Sequence, residues 1–113
     1  MTKTALVIGA TNGVGSEIAR ILIARDFRMR ALHRDPAQAQ ARMTSLGAVE
    51  WLKGDAMNAE DVLRASAGVS LVVHAANPPG YRNWKGLALP MLEHSIAAAR
   101  AAGARLEIGR AHV

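Results

Sequence analysis

The period of apolar positions switches repeatedly along the chain. Thr4, Ala5, Leu6, Val7 and Ile8 form a nearly continuous apolar run closed by Gly9, the pattern of a strand buried on both faces. After a glycine-rich turn, Val14, Ile18, Ile21 and Leu22 recur at helical spacing, with Ser16, Glu17 and Arg20 turned away from that stripe. Residues 29–32 predict a second strand. Asp35 and Pro36 then open a helix that stops near Gly47, Asp serving as N-cap and Pro taking the first helical position. A third strand is expected over 49–52, and Asn58 caps a short helix over 59–67 that Gly68 ends. Residues 69–75 form the most apolar strand after the first. Pro78, Pro79 and Gly80 force a loop, and an Ala-rich helix follows over 89–102, with Pro90 tolerable only in its first turn. Gly103 ends that helix, and Arg105, Leu106, Glu107 and Ile108 begin a fifth strand.

Strand and helix alternate from end to end, without repeats or a long linker. Such alternation predicts an α/β fold: a doubly wound parallel sheet with right-handed crossovers and helices on both faces. The expected strand order is 3-2-1-4-5, with a ligand at the switch between strands one and four. The length of 113 residues suits one domain with one modest core.

The turn after the first strand, GATNGVG, spaces its glycines G-x-x-x-G-x-G. Gly9 lets the chain leave the strand in a tight turn. Gly13 leaves the backbone bare for a pyrophosphate, and Gly15 lets the new helix lie close to the sheet. The phosphates would meet the unpaired N–H groups and the positive dipole end of that helix. Glycines gather in any loop. This turn follows a buried strand and opens an amphipathic helix, the setting in which the motif carries meaning.

Composition narrows the choice of partner. The core must be aliphatic, because the chain has only two Trp, one Tyr and one Phe. The absence of Cys removes disulfides and thiol chemistry, and the four His residues (His33, His74, His94 and His112) share no metal-ligand spacing. His74 reads as a hydrogen-bonded core histidine, His94 with Met43 and Met91 as helix packing, and Trp51 as core. No apolar run is long enough for a membrane span, so no membrane partner and a cytoplasmic location are expected. The net charge of +5 is scattered, which argues against nucleic acid. Its densest cluster, Arg25, Arg28, Arg30 and Arg34, is expected where cofactor phosphates lie.

The segments GATNGVG, MRALHRDP, LKGDAMNAEDV, VVHAANPP and AAARAAGARL resemble the short-chain dehydrogenase/reductase superfamily, over nearly everything from Lys3 to Leu106. The glycine spacing is similar to its single-domain branch. The other segments look more like its extended or atypical branch of epimerases and dehydratases. The resemblance implies a Rossmann fold in which Gly9, Thr11, Asn12, Gly13, Val14 and Gly15 form the pyrophosphate loop. It also implies that Asp55 and Ala56 flank the adenine, and that Ala75, Ala76 and Asn77 line the cofactor. As turn residues, Asp55 and Asn77 also have a plain structural reading.

NAD-binding relatives end the second strand with an acidic residue on the ribose 2′-hydroxyl. Here His33 and Arg34 stand in that place, and an arginine can fork onto a 2′-phosphate. NADP(H) is therefore expected over NAD, with Asp35, the competing acid, serving as a helix cap. Tyr81 and Lys85 have the superfamily's Tyr-x-x-x-Lys spacing but follow the fourth strand rather than the fifth, so no catalytic residue is assigned. The expected function is the NADP(H)-binding portion (1–106, incomplete) of an oxidoreductase, epimerase or dehydratase, transferring a hydride to or from a carbonyl or alcohol carbon of a small-molecule substrate. A non-catalytic NADP(H)-sensing protein is the alternative. The chain alone is expected to be inactive, residues 107–113 to be a tail partly foreign to the parent, and the chain to self-associate, as a homodimer or otherwise.

Overall fold

The computed structural model describes residues 3–11, 13–75 and 84–108. Among these residues five strands and four helices alternate: β1 (Thr4–Ile8), α1 (Gly13–Ala24), β2 (Arg28–His33), α2 (Pro36–Arg42), β3 (Val49–Lys53), α3 (Ala59–Ala65), β4 (Leu71–His74), α4 (Trp84–Ala102) and β5 (Arg105–Ile108). A 3-10 turn, Thr44–Leu46, stands between α2 and β3. All strand pairs are parallel, in the order β3-β2-β1-β4-β5. This is the expected α/β Rossmann-type sheet.

Strand alternation divides the core into two layers. Leu6, Ile8, Leu32 and Val72 face α3 and α4 and meet Val62, Ala65, Ala98 and Ala99. Ala5, Val7, Met29, Ala31 and Val73 point to the other side, where Ala19 and Leu46 cover them. Leu6, Val7 and Ile8 are essentially inaccessible to water, and each such side chain contributes about 1.5–3 kcal/mol on burial.

Several boundaries differ from the sequence reading. α1 buries Gly15 and Ala19, whereas Ile21 is 52% exposed. Ile21 lies about 120° around the helix from Gly15, off the face that the two small residues bring against the sheet. α2 ends at Arg42 and a tighter 3-10 turn completes the connection to Gly47, whose φ is 85°. β4 is shorter than the apolar run, Leu71–His74. α4 starts at Trp84, so Pro90 lies inside the helix rather than in its first turn. It gives no N–H to the carbonyl of Gly86, a tolerated loss of one helical bond.

The expected arginine cluster does not assemble. At about 3.3 Å per residue, β2 carries Arg28 roughly 20 Å from Arg34, at the opposite end of the sheet. Arg30 turns to the α3 face, where Nη1 donates to the carbonyls of Ala65 (2.7 Å) and Ala67 (2.8 Å) and Nε donates to Glu50 (3.3 Å). A cation there complements the negative end of α3. Only Arg34 stands past the carboxyl end of β2.

Candidate functional site

Parallel strands end on one edge of the sheet, and all the candidate loops leave from that edge. β1 pairs with β2 on one side and β4 on the other, so the connections after β1 and β4 diverge and open a crevice. Gly9 leaves β1 at φ 93°, a backbone state that favours glycine. Thr11 is half-buried and Gly13 begins α1, with open space around the place of a Cβ. Val14 is half-buried and Gly15 buried. Across the crevice the Ala75 N–H donates to the Ile8 carbonyl at 2.8 Å, continuing the β1–β4 pairing. Asn12, Ala76, Asn77 and Tyr81 lie outside the described residues. Lys85 falls in the first turn of α4.

The turn after β2 is held by its own side chains. The Asp35 N–H donates to Nδ1 of His33 at 2.9 Å, so the neutral imidazole carries its proton on Nε2. The same ring meets Trp51 edge-on, with centroids 6.4 Å apart. Asp35 Oδ1 accepts from the Gln38 N–H at 3.2 Å and caps α2. The carboxylate nearest the expected ribose position is thus occupied with the helix. Arg34 between them is exposed, and its guanidinium makes no hydrogen bond or ion pair among the described residues.

Arg34 lines an open hollow of about 600 Å³ together with Lys53, Gly54, Asp55, Asp61 and Arg64. Lys53, Asp61 and Arg64 were not singled out from the sequence. Lys53 ends β3 in register with His33 at the end of β2, and its ammonium is likewise unpaired among the described residues. Arg64 is already engaged: Nη2 donates to Asp61 Oδ1 (3.1 Å) and to the Lys53 carbonyl (3.3 Å). A Cβ on Gly54 would stand 2.6 Å from Leu32 Cδ1 and 3.0 Å from Asp61 Cβ, so a side chain here would have to displace the tip of Leu32 and crowd Asp61 where β3 approaches α3.

The loop from Asp55 to Asn58 is dense in hydrogen bonds. Asp55 donates its N–H to Asp61 Oδ2 at 2.9 Å, accepts the Met57 N–H on Oδ1 at 2.8 Å, and accepts the Asn58 N–H on its carbonyl at 2.9 Å. The Ala56 carbonyl accepts from Nδ1 of His94 at 2.9 Å. The Asp55 N–H first, and Arg64 with it, hold the Asp61 carboxyl below its ordinary pKa. Deeper in the fold, His74 at the end of β4 shares a 2.8 Å hydrogen bond with Ser95 Oγ of α4, and burial lowers its pKa.

A parallel sheet of this order, a glycine turn at its switch point and cations beyond its second and third strands define a dinucleotide-binding Rossmann domain. The chain belongs to the NAD(P)H-binding family, whose model matches residues 9–108. FrzB, an NmrA-like family domain-containing oxidoreductase from Cladobotryum sp., is 40% identical over 70 residues, covering 60% of this chain and 20% of FrzB. The triphenylmethane reductase of Citrobacter sp. superposes with a TM-score of 0.71 at 24% identity, over 93% of this chain and 36% of that one. A nucleoside-diphosphate-sugar epimerase from Pseudomonas aeruginosa gives 0.73 at 22% identity, over 96% and 33%. At these identities both structures bear on the fold alone. The chain thus spans a fifth of FrzB and about a third of the two solved chains.

Proposed function

We propose that this chain is the NADP(H)-binding domain of an oxidoreductase that transfers a hydride to or from a carbonyl or alcohol carbon. The observation that carries the cofactor choice is the pair of unpaired cations, Arg34 and Lys53, on one open hollow where an NAD-specific site would present a carboxylate. Asp35 is committed to capping α2. A dianionic 2′-phosphate matches two free cations, and Arg34 is the one able to grip it with a planar fork.

The residues present fit the rest of the cofactor. Gly9, Thr11, Gly13, Val14 and Gly15, with Asn12, would hold the pyrophosphate at the N-terminus of α1, where Gly13 leaves the approach bare. Asp55 and Ala56 would flank the adenine, and Ala75, with Ala76 and Asn77, would line the path toward the nicotinamide. The nicotinamide supplies or accepts the hydride when bound; these residues bind and orient it. Support for redox chemistry comes from FrzB, an oxidoreductase by name and 40% identical over 70 residues.

Calorimetry with NADPH and NADH tests this reading. A charge-assisted fork is worth roughly 1.5–3 kcal/mol, so NADPH should bind about tenfold or more tighter. Arg34→Ala should abolish the difference. Equal affinities in the unmodified chain would refute the preference.

We further propose that two copies pair along β5. β5 ends the sheet, so among the described residues its outer backbone groups have no strand neighbour, an edge that invites pairing. Beside it lies a mostly apolar hollow of about 260 Å³ lined by Ile18, Leu22, Leu71, Val73, Glu107 and Ile108. Identical edges are self-complementary across a two-fold axis. Sedimentation at micromolar concentration should show a dimer, and a monomer there would refute the pairing.

A further inference from the structure

Near the hollow, the Asp55 N–H and the Ala56 carbonyl are both held by side chains from outside their own loop. The first is gripped from α3. Asn58 caps that helix by accepting the Asp61 N–H on Oδ1 at 3.1 Å. In an ordinary capping box the acidic residue three places on would return the bond to the cap's own N–H. Here Asp61 reaches past Asn58, and Oδ2 accepts the N–H of Asp55 instead. Its second oxygen is fixed by Arg64. The other group is gripped from α4, where half-buried His94 donates from Nδ1 to the Ala56 carbonyl. Asp61 and His94 therefore clamp consecutive residues from two different helices, 33 positions apart in the chain.

We propose that Asp61 and His94 are positioning residues for the adenine half of the cofactor, acting through the Asp55–Ala56 backbone that they fix. The proposal rests on the reading that Asp55 and Ala56 flank the adenine. A flat ring gains little from a wall that moves, because ordering the wall on binding costs conformational entropy. Two side-chain bonds from rigid helices remove that cost before the ligand arrives. They also explain two otherwise isolated features of the sequence: the acid at the third helical position after Asn58, and a histidine within an Ala-rich helix.

The test measures binding of NADPH, 5′-AMP and nicotinamide mononucleotide to the full chain, at a temperature below the melt of every variant. Asp61→Ala and His94→Ala should each weaken NADPH and 5′-AMP by about tenfold and leave nicotinamide mononucleotide unchanged. Asp61→Asn keeps an acceptor for the Asp55 N–H, and His94→Asn keeps a donor at the place of Nδ1, so both should regain most of the loss. Unchanged affinity in the two alanine variants, with a loss in Asp55→Ala, overturns the inference and leaves the adenine reading standing. No loss in Asp55→Ala either would remove the adenine reading and the inference with it. Asparagine variants as weak as the alanine variants also overturn it, since packing or charge would then be the cause. If Asp61→Ala does not fold, Asp61→Asn and the His94 pair still decide, as they act from a different helix.

Discussion

Individual side chains here carry information that depends on what stands across from them. His74 illustrates this. Its ring is buried and bonded to Ser95, and burial disfavours its charged form, lowering its pKa from about 6.5. The unfolded chain then takes up a proton at a higher pH than the folded one does. The stabilising preference for neutral His74 is present above pH 6.5, and it is lost as pH falls below 6.5 and through the folded value. Urea unfolding should therefore give a lower stability at pH 5.5 than at pH 7.5, and His74→Asn should flatten that slope. Equal slopes in the two proteins would count against it. His74 was legible as a core histidine because it interrupts an apolar strand. Lys53, Asp61 and Arg64 were not. Each taken singly looks like a solvated surface charge, and only the approach of β3 to α3 at Gly54 brings them to one hollow.

At the scale of elements, caps and periods were the readable signals. Asp35-Pro36 and Asn58 announced α2 and α3, and each cap bond is present, to Gln38 and to Asp61. Where the misreadings fell is physically consistent. Proline is cheapest in the first turn of a helix, which is why Pro90 reads as a helix start, yet α4 absorbs it in its interior. Ile21 fits the apolar stripe by hydrophobicity and spacing, but close approach to the sheet lets the small Gly15 and Ala19 set the buried face. The cap at Asp35 also separates two accounts of that residue. A helix cap is worth about 1 kcal/mol, so Asp35→Ala should lower the unfolding free energy by about that amount. The ratio of NADPH to NADH affinity should stay the same, since Arg34 and Lys53 remain. A ratio that moves toward NADPH would mean that Asp35 had been repelling the 2′-phosphate or serving the ribose of NADH.

The whole molecule matters to the site because no single element contains it. The proposed binding surface takes the ends of β1, β2, β3 and β4 and the start of α1, with Asp61 of α3 and His94 of α4 behind it. These become neighbours only when the sheet has its 3-2-1-4-5 order. The radius of gyration of 12.8 Å is that of a compact domain, near the ~13 Å expected for about 100 residues. A ligand bound across such a surface has no counterpart site in the unfolded chain, so its binding adds directly to stability. NADPH at a hundred times its dissociation constant should add about 2.7 kcal/mol. For a domain of this size each kcal/mol raises Tm by roughly 4–8 °C, which gives a rise of about 10 °C or more. At the same concentration NADH should raise Tm less, because it leaves Arg34 and Lys53 unengaged. In Arg34→Ala the two cofactors should become nearly equal. Scanning calorimetry of the unmodified chain and of Arg34→Ala, each with either cofactor, reads these shifts; a melt of the unmodified chain that neither cofactor moves would show that the strand ends do not form a dinucleotide site.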